Sequence, residues 1–115
     1  MSDVVRAQSL VMSVWEPRKG LPAKVRIGQI FDALKRVERS LDIDELRGRP
    51  RQWTHRRVET IWAGTARRVD GYEFVDLEKA ALEAARAEHQ ESIERSRRLE
   101  VFISSALAAQ SREMA

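Results

Sequence analysis

The feature that most constrains the fold is the absence of glycine and proline from Tyr72 onward. Strong helix formers dominate this stretch, so we expect one helix, or two close ones, running to about Gln110. About forty helical residues would be about 60 Å long, which is more than one small domain can cover. The sequence therefore predicts an all-α chain with a long C-terminal helix.

Two further helices are predicted before position 42. Residues 3–15 carry apolar side chains at helical spacing, and the breakers Pro17, Gly20 and Pro22 follow. The linker at 16–21, with Arg18 and Lys19, is expected on the surface. Pro22 suits the first position of a helix over residues 23–41. This helix carries one apolar stripe, which contains Ile27, Ile30, Phe31, Leu34, Val37 and Leu41. Gly28 inside this helix is expected to allow a close helix approach.

A short helix, a tight turn and a second helix are predicted between positions 42 and 64. Asp42 can cap a helix that stops near Gly48, because Pro50 cannot continue it. Thr54 is a suitable N-cap for the next helix, and Gly64 suits its end. Two helices joined in this way form a helix-turn-helix arrangement.

The second of these helices is expected to be amphipathic. Val58, Ile61 and Trp62 fall on one face, and Arg56, Thr60 and Ala63 fall on the opposite face. Trp62, and Trp53 before the cap, are expected in the core rather than stacked on a base.

A basic block covers the same region. Seven arginines stand against Glu59 alone in segment 47–68, a balance of +6, whereas segments 1–46 and 69–115 have balances of +1 and −4. His55, Arg56 and Arg57 occupy the first helical turn, where cations cost about 0.3–1 kcal/mol each. A helix start left open in this way suits an anion, and DNA phosphate is the expected one. The alternative is a solvated arginine-rich face.

The order of residues across 42–82 resembles the Cro/C1-repressor type of helix-turn-helix DNA-binding proteins. The resemblance rests on Leu46, Trp53, Val58, Ile61, Gly64, Arg67-Arg68-Val69, Phe74, Leu77 and Ala81-Leu82. It implies that Arg56 and Thr60 face the major groove, with His55 and Arg57 near phosphates.

The run Arg47-Gly48-Arg49-Pro50-Arg51 also resembles the core of an AT-hook, in which two arginines lie along the floor of an A·T-rich minor groove. The alternative is an ordinary turn whose arginines contact phosphate or nothing. The candidate DNA-binding residues are thus Arg47, Arg49, Arg51, His55, Arg56, Arg57, Thr60, Arg67 and Arg68.

The long C-terminal helix carries two separate apolar stripes. The first, from Phe74 to Ala84, is expected to complete the DNA-binding core. The second contains Leu99, Phe102, Ile103, Ala106 and Leu107 and needs a partner, either the 3–15 helix or the same helix of a second chain. We therefore expect a homo-oligomer formed through the C-terminal helix.

No arrangement of residues typical of an enzyme is present. The chain has no cysteine, and His55 and His89 lack partners at metal-ligand spacing, so we expect no catalytic site, metal or cofactor. No apolar run reaches the roughly 18 residues that span a membrane, and MSDVVRAQ lacks the order of a signal peptide. A cytoplasmic location is expected.

These patterns divide the chain into an N-terminal helix and linker (1–22), a helix-turn-helix DNA-binding domain (23–85) and a C-terminal oligomerisation extension (86–115). They favour a small bacterial or phage transcriptional regulator that binds duplex DNA. One alternative is a DNA-packaging protein whose architecture resembles a phage terminase small subunit. The other is a helical interaction or scaffold protein that does not bind DNA.

Overall fold

In the computed structural model, the described residues, 2–16 and 21–114, form five α-helices and no strand. The helices are α1 (Asp3–Val14), α2 (Ala23–Ser40), α3 (Ile43–Arg47), α4 (His55–Ala63) and α5 (Gly71–Met114). The predictions of an all-α chain and of a long C-terminal helix are confirmed, and α5 is a single helix. Residues 17–20 of the predicted linker, which include Arg18 and Lys19, lie outside the described residues.

The first two helices begin and pack as their sequences indicate, apart from two details. Ser2 caps α1, because its Oγ accepts a hydrogen bond from the Val5 amide at 3.2 Å. Pro22 is the N-cap of α2 and not its first helical residue. A Cβ built on Gly28 would meet no heavy atom within 4 Å, so the expected close helix approach at this glycine is wrong.

The short helix α3 lies at the surface. The Oδ1 atom of Asp42 accepts a hydrogen bond from the Glu45 amide at 2.8 Å and so caps the helix as predicted. None of the residues of α3 is buried. The connection to α4 covers residues 48–54, so it is longer than the three- or four-residue turn typical of the helix-turn-helix motif.

Helix α4 has the caps that its sequence predicts. The Thr54 Oγ1 accepts a hydrogen bond from the Arg57 amide at 3.2 Å. At the other end Gly64 has φ +73°, and the amides of Gly64 and Thr65 donate to the carbonyls of Ile61 and Thr60, the pattern of a Schellman motif. The positive φ explains why glycine stands at this position.

Helix α4 packs against both α1 and α2. The core beneath it contains Ala7, Val11, Trp15, Ile30, Ala33, Leu34, Val37, Trp53, Val58, Ile61, Val69, Leu77, Ala80 and Ala81. Trp62 is partly buried against this core, so the core placement of both tryptophans is confirmed. The Gln8 side chain of α1 donates to the Trp62 carbonyl at 2.9 Å, which ties α1 to the end of α4.

The chain divides into two compact units, Met1–Ala84 and Ala85–Ala115. The first unit contains α1 to α4 and the beginning of α5, whose buried residues are Glu73, Asp76, Leu77, Ala80 and Ala81. The second unit contains the rest of α5. Within the described ranges, no helix has both the length and the apolar content required to cross a bilayer.

Candidate nucleic-acid interface

One face of α4 is left open by the packing of the other. Val58 and Ile61 are buried, whereas Arg56, Glu59 and Ala63 are exposed, as the helical spacing predicts. Thr60 is half-buried, and its hydroxyl donates to the Arg57 carbonyl at 2.8 Å. The open face therefore presents one guanidinium and one carboxylate, beside a threonine whose proton is already used within the helix.

The start of α4 borders a depression lined by polar and basic side chains, which are Arg51, Gln52, Thr54, Arg56, Arg57 and Thr60. The first turn of α4 contains no acidic residue. Free amides at a helix N-terminus carry partial positive charge, so a helix start surrounded by guanidinium groups favours an anion. We refer to this feature as the α4 depression.

Arg57 has an internal partner. Its Nε and Nη2 donate to the two carboxylate oxygens of Glu73, each at 2.7 Å, and Nη2 also donates to the Arg68 carbonyl at 2.7 Å. Hydrogen bonding to Glu73 raises the pKa of Arg57 above its ordinary value. Since Glu73 is buried in α5, Arg57 holds α4, the 64–70 loop and α5 together. Its guanidinium is occupied and does not meet the expectation of a phosphate contact.

Arg49 is held in the same way by Asp76. Both Nη atoms of Arg49 donate to the Asp76 carboxylate, which is fully buried and also accepts from the Trp53 indole at 2.9 Å. Hydrogen bonding to Asp76 raises the pKa of Arg49. An AT-hook needs two arginines in the groove, and Arg49 is committed to the protein interior. The structure therefore favours the alternative for residues 47–51, an ordinary connection with Arg47 and Arg51 at the surface.

Asp70 brings two exposed arginines together beside the α4 depression. One of its carboxylate oxygens lies 3.5 Å from Arg51 and the other lies 3.4 Å from Arg68. The Asp70 amide also donates to Glu73 at 3.0 Å, which is half of a capping box at the start of α5. Exposed pairs of this kind contribute little to stability, so Arg51 and Arg68 are available to an external anion.

The remaining candidates have different surroundings. The ring of His55 stacks on Phe31 of α2, with the ring centroids 3.9 Å apart. Arg47, Arg56 and Arg67 are exposed and have no ion-pair partner among the described residues. The exposed arginines, by which we mean Arg47, Arg51, Arg56, Arg67 and Arg68, are therefore the candidates that an external ligand can reach.

The sequence analysis missed the carboxylates that hold this region. Glu38 accepts from the Trp53 amide at 2.8 Å, Asp76 binds Arg49 and Glu73 binds Arg57. A clue to Glu73 was present, because an aspartate followed three residues later by a glutamate before an apolar stripe is typical of a capping box. A clue to Asp76 is its place beside Leu77 in the buried part of α5. A buried carboxylate is costly unless it is paired, so a cationic partner was to be expected.

The described residues contain no group of three or more His, Cys, Asp or Glu side chains placed to hold a metal ion. Comparisons of the chain with protein-family models, with curated proteins and with solved structures gave no match.

Proposed function

We propose that this chain is a small cytoplasmic protein that binds duplex DNA and regulates transcription in a bacterium or phage. In this proposal the open face of α4, with Arg56, enters the major groove, and the other exposed arginines contact phosphates on either side of it. A major groove about 12 Å wide admits one α-helix, and α4 is a nine-residue helix with one face free. The resemblance to Cro/C1-type repressors supports the same orientation for Arg56.

The observation that carries the proposal is that the arginines near the α4 depression are of two kinds, one paired within the protein and the others exposed. Arg57 is neutralised by Glu73, whereas Arg51 and Arg56 line the same depression and remain exposed. Arg68 is also exposed and shares the Asp70 carboxylate with Arg51. A fold that needed arginines only for internal ion pairs would not require this second set. Exposed cations at an acid-free helix start are the arrangement that binds phosphate.

Base recognition is assigned to Arg56 and Glu59. Arginine can donate two hydrogen bonds to guanine O6 and N7, which discriminates bases by about 1–3 kcal/mol. Glu59 lies on the same open face and would repel phosphate, but a carboxylate can accept from a cytosine amine. A G·C pair under the middle of α4 satisfies both side chains.

The test is selection from random duplexes followed by affinity measurements on the selected site. We expect a guanine preference that relaxes in Arg56→Ala. Loss of a charged hydrogen bond of about 1.5 kcal/mol corresponds to roughly tenfold weaker binding. Arg68→Ala is expected to weaken all duplexes alike, because a phosphate contact carries no sequence information.

Arg97→Ala is the matched control, since Arg97 is an exposed arginine of α5 in the second unit. It is expected to leave affinity unchanged. If wild type binds no duplex, the chain is instead a helical interaction or scaffold protein. If selection returns only A·T-rich sites and Arg56→Ala has no effect, the major-groove assignment of α4 is wrong.

A DNA-packaging protein similar in architecture to a terminase small subunit is the second candidate. The exposed apolar side chains of the second unit favour it, because such a protein must assemble from many copies. Mass measurement in solution separates the two candidates: a dimer supports the regulator, and a closed ring of several copies supports packaging.

A further inference from the structure

The second unit exposes an apolar stripe. Its large side chains are Leu99, Phe102, Ile103 and Leu107, with exposed fractions of 54%, 69%, 55% and 59%. These residues follow helical spacing, and Ser96, Ala106 and Gln110 complete the same face of α5. A continuous exposed apolar stripe of this kind marks a protein-interaction site.

The density of charged residues in α5 falls abruptly where the stripe lies. Residues 86–100 carry four arginines and four glutamates, whereas residues 101–111 carry no charged side chain on any side of the helix. In the whole chain, by comparison, 34% of the residues are charged. A helical segment without charges can pack against another helix without desolvating an ionised side chain.

Helix α1 is excluded as the cover that the sequence left open. Its apolar residues Ala7, Val11 and Trp15 are buried in the core of the first unit. The other short helices in the described residues do not supply a free apolar face either. Helix α4 packs its apolar face against α1 and α2, and α3 has only five residues.

The charge of the second unit suits a second copy of itself. Residues 85–115 contain five arginines and five glutamates, so the net charge of +3 belongs entirely to residues 1–84. Two neutral helices approach without net repulsion, and a net charge near zero promotes association. A unit without net charge exerts no net electrostatic attraction on DNA, which is a polyanion.

The side chains that flank the stripe also match those of a second copy. If Ser96, Ile103 and Gln110 take position a of a heptad and Leu99 and Ala106 take position d, Arg95 and Phe102 take position g. In a parallel pair each g residue lies beside position e five residues on in the partner. Arg95 then meets the partner's Glu100, and Phe102 meets the partner's Leu107.

An antiparallel pair matches these side chains less well. Positions e of the two chains then lie beside each other near the centre, which places Glu100 against the partner's Leu107. A carboxylate desolvated by leucine without a cation is unfavourable. We propose that residues 96–110 of α5 pair with the same segment of a second copy, parallel and in register. This pairing does not depend on DNA binding, because it uses no residue of the first unit.

The chain has no cysteine, so single cysteines report the pairing directly. Ser96→Cys places two thiols in one layer of a parallel pair, within the Cα separation of about 7 Å that a disulfide permits. Ser104→Cys, on the outer side of the same helix, is the matched control. We expect disulfide-linked dimers from Ser96→Cys under mild oxidation, and none above background from Ser104→Cys.

Sedimentation without DNA supplies the second readout. Wild type is expected to be dimeric at about 100 µM, with at least tenfold weaker association in Ile103→Asp. Val101→Asp is the control, because Val101 is similarly exposed but lies on the opposite side of the helix. Monomeric wild type overturns the proposal, as do equal effects of the two substitutions. Cross-linking only when Leu99→Cys and Gln110→Cys are mixed would show an antiparallel pair, in which these two positions share a layer, and would also overturn it.

Discussion

Arg56 and Arg57 are neighbours in the first turn of α4 and have opposite surroundings. Arg57 is 15% exposed and is bound to Glu73, whereas Arg56 is exposed and has no ion-pair partner among the described residues. Helical geometry separates adjacent residues by about 100°, so one side chain faces α5 and the next faces solvent. At this scale the basic block is two populations, one structural and one available for binding.

Substitution by alanine is expected to lower the free energy of unfolding strongly at Arg57 and hardly at all at Arg56. Arg57→Ala leaves the Glu73 carboxylate buried without its cation, which should lower the free energy of unfolding by about 3–5 kcal/mol. Arg56→Ala should change it by less than about 0.5 kcal/mol, as is usual for surface substitutions. Urea denaturation followed by circular dichroism measures both. Equal stabilities of the two variants would show that the Arg57–Glu73 pair does not hold the fold.

Asp76 should be the most sensitive carboxylate of the molecule. Asp76→Asn removes the charge that neutralises Arg49 and is expected to cost about 3–5 kcal/mol. Glu83→Gln is the matched control on the same helix, because Glu83 is exposed and lies 3.6 Å from Arg36. An exposed pair contributes about 0–1 kcal/mol. A melting temperature of Asp76→Asn equal to that of Glu83→Gln would contradict the importance assigned to the buried pair.

At the scale of elements, periodicity and caps predicted most of what forms. Thr54, Gly64 and Asp42 cap their helices as their chemistry indicates. The middle of the α2 stripe is buried, as are Val58 and Ile61 of α4. The connection before α4 has the bounds that Gly48 and Thr54 predicted, but the side chains that hold it were not predicted. Trp53 and Arg49 are anchored there by Glu38 and Asp76, and a local pattern does not show partners 15 and 27 residues away.

Gly28, inside α2, and Gly64, at the end of α4, give a matched pair of predictions. Gly28→Ala should raise the free energy of unfolding by up to about 1 kcal/mol, because the position is helical and a Cβ meets nothing within 4 Å. Gly64→Ala should lower it by about 1 kcal/mol or more, because φ is +73° and the new Cβ would lie 2.9 Å from the Gln8 side chain. Thermal unfolding of both variants measures the difference, and stabilisation by Gly64→Ala would contradict the helix end described above.

At the scale of the molecule, the sequence predicted the helical class and a long helical C-terminal stretch because both follow from local propensity. It left open whether that stretch is one helix or two, and the structure has one. It overestimated the basic block, since two of its seven arginines are neutralised by carboxylates of α5. The net charge of the chain resides in the first unit and the free apolar stripe in the second. Because of this separation, the two proposals, polyanion binding and self-association, concern different parts of the chain.

The salt dependence of duplex binding tests the central proposal most directly. Each phosphate contact contributes about −0.9 to the slope of log K against log salt concentration, so contacts from the four exposed arginines other than Arg56 predict a slope of about −3.6. Arg51→Ala/Arg68→Ala should flatten it by about two units, and Arg97→Ala/Arg98→Ala should leave it unchanged. A wild-type protein without salt-dependent affinity for duplex DNA, or equal slopes for the two double variants, would contradict the proposed interface.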